Sequence, residues 1–556
     1  MISIQNLTYC YPNLENPALD NINLEINEGE FILLLGPSGC GKSTLIQCLN
    51  GIIPKVSGGE LEGTILVNGK DVSKHKVHQM STEVGIVFQN PDAQLFGLTV
   101  EEDVAFGPEN LGIEREEILK RIERSLQITG IEGLKERFTF TLSGGEKQRT
   151  AIAGNLAMQP KILILDEPTS DLDPMGTREV LETIRRLNKE LAITIILIEH
   201  KIDEVIGLAD RTIVMNKGRI ILDGKTCEVF TKNLDLLKNI GLYPPQLIRL
   251  SEMLHVKPSY MAVFSHLNGI KDSFINPPDI LPVQDNGPHV VFEDVRFSYQ
   301  DGSEVLRGID LTLRRGEFIA MIGPNGSGKT TLLSCLIGLI KPDKGRIMID
   351  GQDIRDLGVA ELAREVGYLF QNPDYQLFAD TVREEVAFGL RIRSMPVEEM
   401  DKKVANALEM MELTEYQDRH PHSLSRGERQ RLAVASILSL EPDILVLDEP
   451  TTGQDRGHLN KFLHRMKKLN HAGKTIILIT HDMSIVAAYA DRTIIIDGGK
   501  ILIDGTTRYV FSQPDILKKA SIELPLVTKL SHDLRENGKD VPVILTISEL
   551  RNLICP

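Results

Sequence analysis

Two short stretches carry the most specific chemistry in the sequence, "GPSGCGKST" over residues 36–44 and "GPNGSGKTT" over residues 323–331. Each reads glycine, four residues, glycine, lysine, then serine or threonine. In the first the run is Gly36, Pro37, Ser38, Gly39, Cys40, Gly41, Lys42, Ser43 and Thr44. In the second it is Gly323, Pro324, Asn325, Gly326, Ser327, Gly328, Lys329, Thr330 and Thr331. Glycines at this spacing let successive backbone N–H groups curl around phosphate oxygens, where side chains would block the approach. Lys42 and Lys329 are placed to put an ammonium on the β and γ phosphates, and Ser43 and Thr330 to offer a hydroxyl to Mg²⁺. The helix that starts at each lysine adds its dipole. A chain of this length would show about 0.03 such matches by chance, so two indicate nucleotide phosphate.

Two further repeated segments supply groups for hydrolysis. "ILILDE" and "ILVLDE" end buried strands in Asp166–Glu167 and Asp448–Glu449. The aspartates are placed to orient Mg²⁺, and the glutamates to polarise a water for in-line attack. A histidine ends the next apolar strand in both halves, His200 and His481. Beside the glutamate it could sense the γ phosphate or hold the attacking water.

These residues recur in the same order at nearly constant offset. Lys42 to Lys329 is 287 positions, Asp166 to Asp448 is 282, and His200 to His481 is 281. The chain is therefore two copies of one domain. "FILLLG" and "FIAMIG", "KILILD" and "DILVLD", and "TIILIEH" and "TIILITH" are apolar runs without alternation, as expected for strands covered on both faces. Segments 173–190 and 455–472 read as helices between strands, and "GIEREEILKRIERSLQITGI" as part of a helical lobe. The fold class is α/β, two tandem P-loop domains, each with a mostly parallel sheet core, a helical lobe and a short C-terminal subdomain. The boundaries read as 1–240 for the first domain, 241–267 for its subdomain, 268–288 for a proline-bearing linker, 289–520 for the second domain and 521–556 for its subdomain.

Composition narrows the setting. The 556 residues carry 62 Lys and Arg against 78 Asp and Glu, a formal charge of −16, which argues against nucleic acid as the main partner. Six cysteines show no paired spacing, so neither a zinc site nor a disulfide framework is expected. The start has no signal-peptide pattern and no apolar run approaches 18 residues. A cytosolic protein is expected, with any role at a membrane requiring partners.

"LSGGEKQR" (142–149) and "LSRGERQR" (424–431) complete a resemblance to the ATP-binding cassette ATPases, covering nearly the whole chain apart from linker and tails. The resemblance implies that Tyr11 and Tyr299 stack on adenine. It implies that Gln89 and Gln371 reach Mg²⁺ and the attacking water and connect to membrane subunits. It implies that the signature loops, Ser143, Gly144, Gly145 and Glu146 in one half and Ser425, Arg426, Gly427 and Glu428 in the other, close over the ATP of the opposite cassette. Arg426 departs from the paired glycines. "SDLD" (170–173) matches the loop joining the halves through Asp173, whereas "TGQD" (452–455) departs at Gln454 and keeps Asp455. "QNPDAQLFG" (89–97) and "QNPDYQLFAD" (371–380) resemble the ATPases of energy-coupling factor importers. That likeness implies a peripheral subunit on the cytoplasmic face of the cell membrane. It also implies partners, an integral-membrane coupling protein and a small membrane protein that captures a vitamin precursor, such as that of thiamine, or a transition-metal ion. Leu95, Phe96, Leu377 and Phe378 are expected on the docking surface. The alternative is a soluble tandem ATPase acting on ribosomes or nucleic acid. The short, proline-bearing linker and the absence of coiled coils or zinc motifs speak against it.

Overall fold

The computed structural model describes residues 1–12, 16–170, 172–270, 287–299, 302–450 and 456–554. Most of the expected linker, the segment with Gln454 and Asp455, and Cys555 lie outside these residues. The chain divides into two compact units, Met1–Pro245 and Gln246–Pro556.

In the first unit the apolar runs become the strands of a six-stranded sheet, in the order Arg219–Lys225, Arg211–Asn216, Phe31–Leu35, Thr194–Ile198, Ile162–Asp166, Val84–Val87. All neighbours pair parallel except the edge strand Arg219–Lys225, which runs antiparallel to Arg211–Asn216. Every residue of Phe31–Leu35 and Thr194–Ile198 is buried, which is why these strands show no alternation. The parallel register brings Leu35, Asp166 and Ile198 to one end of the sheet, where the phosphate loop, the Asp–Glu pair and His200 leave it.

A second, antiparallel sheet runs Leu19–Ile26, Ile2–Cys10, Glu60–Val67, Lys70–Asp71. Its strands alternate locally, as over residues 22–26, where Ile22, Leu24 and Ile26 face the core, with Leu19 joining them across a register shift. The helical lobe consists of Val100–Asn110, Arg115–Thr129 and Gly144–Ala157 around Val100, Val104, Ile122, Leu126 and Ala153.

The second unit repeats both sheets, with the six-stranded one in the order Val366–Leu369, Ile444–Asp448, Thr475–Ile479, Phe318–Ile322, Arg492–Asp497, Lys500–Thr506. Helices Pro174–Leu191 and Arg456–His471 stand where the sequence places them.

The tails form something other than two small subdomains. Helices Gln246–Met253 and Tyr260–Gly269, which follow the first cassette, fall in the second unit and share one core with Leu526–Glu536 and Ile547–Ile554. Leu250, Leu254, Val263 and Leu267 pack with Val527, Leu530, Leu534 and Leu550. The Tyr260 hydroxyl donates to Asp533, and Lys539 Nζ donates to the Ile270 carbonyl at 2.8 Å. A run of eight to eleven residues with one apolar stripe cannot bury that stripe alone, and pairing the two tails solves the problem for both.

Candidate functional site

Each phosphate loop turns into a helix at its lysine, Lys42–Leu49 and Lys329–Leu336. The residues before them, Gly41 and Gly328, sit at φ 104° and 103°, a conformation that L side chains rarely adopt. At Gly41 a Cβ would lie 2.6 Å from the Ala18 carbonyl oxygen. Both lysines are buried and curl into their own loops. Lys42 Nζ donates to the Gly36 and Pro37 carbonyls at 2.7 and 3.0 Å, and Lys329 Nζ to Gly323 and Pro324 at 2.8 Å each. The ammonium is thus stored at the place where phosphate oxygens would replace the carbonyls.

Asp166 and Asp448 end their strands beside the loops. Thr330 Oγ1 donates to Asp448 Oδ2 at 3.2 Å, and Ser43 bonds Asp166 in the same way. Burial, then the neighbouring Glu167 carboxylate, pushes Asp166 up to about 6, and burial likewise raises Asp448. A converging hydroxyl and carboxylate are hard oxygen donors, too few to hold a cation alone and suited to Mg²⁺ arriving with phosphates.

Glu167 and Glu449 both adopt left-handed backbone, φ 50° and 47°, which costs a non-glycine residue about 1–3 kcal/mol. The backbone is fixed there by hydrogen bonds from the Glu167 and Glu449 N–H groups to Ile198 and Ile479 carbonyls at 2.9 and 3.0 Å. The bend aims the carboxylate back over the loop. In the first unit it is gripped on both oxygens. His200 Nε2 lies 2.9 Å from Oε1, and Gln89 Nε2 donates to Oε2 at 2.8 Å. Burial disfavours charge on His200, but the Glu167 carboxylate outweighs it and raises the imidazole above its ordinary range. The second unit is looser. His481 Nε2 is 3.4 Å from Glu449 Oε1 and 3.1 Å from Asn325 Oδ1, and Gln371 is exposed.

Tyr11 and Tyr299 stand next to the loops, with hydroxyls 3.1 Å from Thr44 Oγ1 and 3.4 Å from Thr331 Oγ1. The signature loops start helices Gly144–Ala157 and Arg426–Leu438. Ser143 and Ser425 cap them, and Glu146 and Glu428 return the bond to the cap residue's N–H. Arg426 occupies the first helical turn, half-buried. Asp173 caps Pro174–Leu191 by accepting from Gly176 N–H at 2.7 Å.

The turn after each glutamine differs from expectation in one respect. Phe96 and Phe378 are exposed, 71% and 61%, and Leu95 is half-buried, but Leu377 is 4% exposed and belongs to the core. Each exposed phenylalanine meets a second one from the following helix. Phe96 and Phe106 centroids are 5.6 Å apart, and Phe378 and Phe388 centroids 4.6 Å. A buried carboxylate, unremarked at the level of sequence, holds the turn. Asp103 Oδ1 accepts from the Phe96 and Gly97 N–H groups at 2.7 and 3.0 Å, and Glu385 Oε2 from Phe378 and Ala379 at 2.8 Å each. The signal was an acid inside the apolar face of "VEEDVAFG" and "VREEVAFG". Glu199 was missed too. It is 3% exposed and accepts from the Thr169 N–H and hydroxyl at 2.9 and 2.6 Å, tying the start of the "SDLD" loop to the strand that carries His200.

Paired phosphate loops, each with its Asp–Glu strand end, histidine and capped signature helix, define a nucleotide-hydrolysing cassette present twice. The chain belongs to the ABC transporter family, whose model matches residues 19–170 and 306–452, and it is an ABC transporter ATPase. A provisionally named ABC transporter ATP-binding protein of Methanosarcina mazei is 51% identical over 100% of this chain and 97% of its own length. A provisionally named HMP/thiamine import ATP-binding protein of Bacillus subtilis is 36% identical over 95% of each chain. Among solved structures, cbiO1 from Clostridium perfringens, part of the ABC transporter complex cbiONQ, shares 34% identity over 45% of this chain and all of its own, with a TM-score of 0.39.

Proposed function

We propose that this chain is the energy-coupling subunit of an importer of the energy-coupling factor kind. It works at the cytoplasmic face of the cell membrane and drives uptake of a hydroxymethylpyrimidine or thiamine-type precursor through membrane partners. The observation that carries the reading is the repeated exposed aromatic pair, Phe96 with Phe106 and Phe378 with Phe388, on a turn that begins at Gln89 or Gln371. An apolar anchor on a rigid, hydrogen-bonded turn is the kind of surface that a partner helix covers. Among the described residues no helix is long and apolar enough to cross a membrane. The cargo class is supported by the name of the Bacillus subtilis relative, 36% identical along nearly the whole chain.

In the hydrolytic step Lys42 and Lys329 leave their loop carbonyls for the β and γ phosphates, and the loop N–H groups bind the remaining oxygens. Ser43 with Asp166, and Thr330 with Asp448, would hold Mg²⁺, which would supply charge neutralisation on the phosphate oxygens. Glu167 and Glu449 orient the attacking water and accept its hydrogen bond, with His200 and Gln89 fixing where the first carboxylate points and His481 standing beside the second. Because Gln89 grips Glu167 and also begins the aromatic turn, movement of a docked helix is felt at the carboxylate.

Purification from native membranes in mild detergent, followed by mass spectrometry, tests the reading. A multispan coupling protein and a small integral-membrane companion are expected, and Phe96→Asp with Phe378→Asp should release both. Ribosomal proteins, or a chain recovered with no membrane partner, would replace the transport reading with the soluble one.

A further inference from the structure

The two halves differ at one buried position that faces the metal-orienting carboxylate. Strand Val366–Leu369 lies beside Ile444–Asp448 and places Tyr368 next to Val446. Its ring is 7% exposed and packs on Phe370 with centroids 4.7 Å apart. Its hydroxyl donates to Asp448 Oδ2 at 2.8 Å, the same oxygen that accepts from Thr330 Oγ1 at 3.2 Å. Asp448 is 4% exposed, so solvent contributes little to its solvation and two hydroxyl donors do that work instead. In the first half the equivalent strand position, opposite Ile164, is Ile86, which has no hydrogen to donate.

We propose that Tyr368 is a positioning residue of the second nucleotide site. Its hydroxyl clamps Oδ2 of Asp448 toward Thr330, leaving Oδ1 oriented for the water shell of nucleotide-bound Mg²⁺. A carboxylate already fixed by a neutral donor loses little freedom when the metal arrives, and a hydrogen bond to a charged group is among the stronger ones. The second site therefore assembles its metal shell at lower Mg²⁺ concentration than the first. The inference rests on reading Asp448 as the carboxylate that faces the nucleotide's metal. It makes the two sites unlike through the strand, a difference separate from Arg426 in the signature loop.

The test reads one site at a time in the full chain. Lys42→Ala confines a fluorescent ATP to the second site and Lys329→Ala to the first, and binding is followed as Mg²⁺ is titrated. With Tyr368 in place, the second site should reach half-saturation at lower Mg²⁺ than the first. Tyr368→Phe keeps the ring and its contact with Phe370. In the Lys42→Ala chain it should raise the Mg²⁺ midpoint about tenfold, with nucleotide binding in EDTA unchanged. In the Lys329→Ala chain it should change nothing. Equal Mg²⁺ midpoints at the two sites, no shift on Tyr368→Phe, or a matching loss of binding in EDTA would overturn the proposal. Absence of Mg²⁺ dependence at both sites would overturn it together with the metal reading, whereas Mg²⁺ dependence indifferent to Tyr368 would remove the positioning role alone.

Discussion

At the scale of single residues, the grip on Glu167 sets the electrostatics of the first site. Desolvation of the half-buried His200 by itself opposes protonation, and the Glu167 carboxylate 2.9 Å away, with a smaller contribution from Glu199, raises the imidazole above its ordinary range. A histidine raised in the folded state contributes stability that is complete below its unfolded value near 6.5 and is lost as pH rises through the folded midpoint. In Glu167→Gln the principal raising partner is gone, and burial with the Lys42 ammonium outweighs the smaller pull of Glu199. The His200 midpoint, followed by NMR of the imidazole, should then move from above its ordinary range to below it. A midpoint that stays raised would mean that Glu199, not Glu167, supplies the field. The residues of this site were legible in the sequence because their chemistry is tied to type and spacing. What the sequence did not carry is the unequal spacing of the two pairs, His200 2.9 Å from Glu167 and His481 3.4 Å from Glu449. A difference of under an ångström has no signature in residue type or spacing.

At the scale of elements, the aromatic turns show how one substitution is matched by another. In the first half Gly97 packs so closely on the following helix that a Cβ would lie 2.3 Å from the Asp103 N and 2.6 Å from its Cα. The second half has Ala379 there, and the acid is Glu385, one methylene longer. The longer acid still accepts from both turn N–H groups, at 2.8 Å each, with the methyl of Ala379 on the turn. Gly97→Ala should therefore destabilise the first lobe by about 2 kcal/mol, and Asp103→Glu in the same chain should recover about half or more of it. Denaturant melts give the energies, and hydrogen exchange at the Phe96 amide reports whether the turn closes again. Additive losses would mean that the two sites are not coupled. The buried parallel strands and flanking helices were readable from apolar runs. The antiparallel sheets were not, because shifts of register break the two-residue alternation in strands such as Leu19–Ile26, where Leu19 and Ile22 are three residues apart. Leu377 was misplaced because an apolar residue in an exposed turn looks the same whether it points out or in.

At the scale of the whole molecule, duplication has left two sites with the same parts in different states of repair. Both keep their lysine, aspartate, glutamate and histidine, so both are expected to hydrolyse ATP, at different rates. Glu167→Gln and Glu449→Gln, made separately, should leave unequal residual turnover, since each removes the water-orienting group from an unlike site. Equal residual rates would remove the asymmetry. The tails were readable as helices but not as partners, because an amphipathic stripe does not say which other stripe will cover it.

That shared tail core has a consequence for synthesis. Helices Gln246–Met253 and Tyr260–Gly269 leave the ribosome about 250 residues before Leu526–Glu536, the first of the helices that cover them. At about 5–20 residues per second the wait is roughly 13–50 s. Throughout it Leu250, Leu254, Val263 and Leu267 lack their complement, and the entire second cassette must be made before it arrives. A product cut short anywhere in that cassette keeps a finished first half with a bare apolar face, because Leu526–Glu536 and Ile547–Ile554 are the helices that close over it.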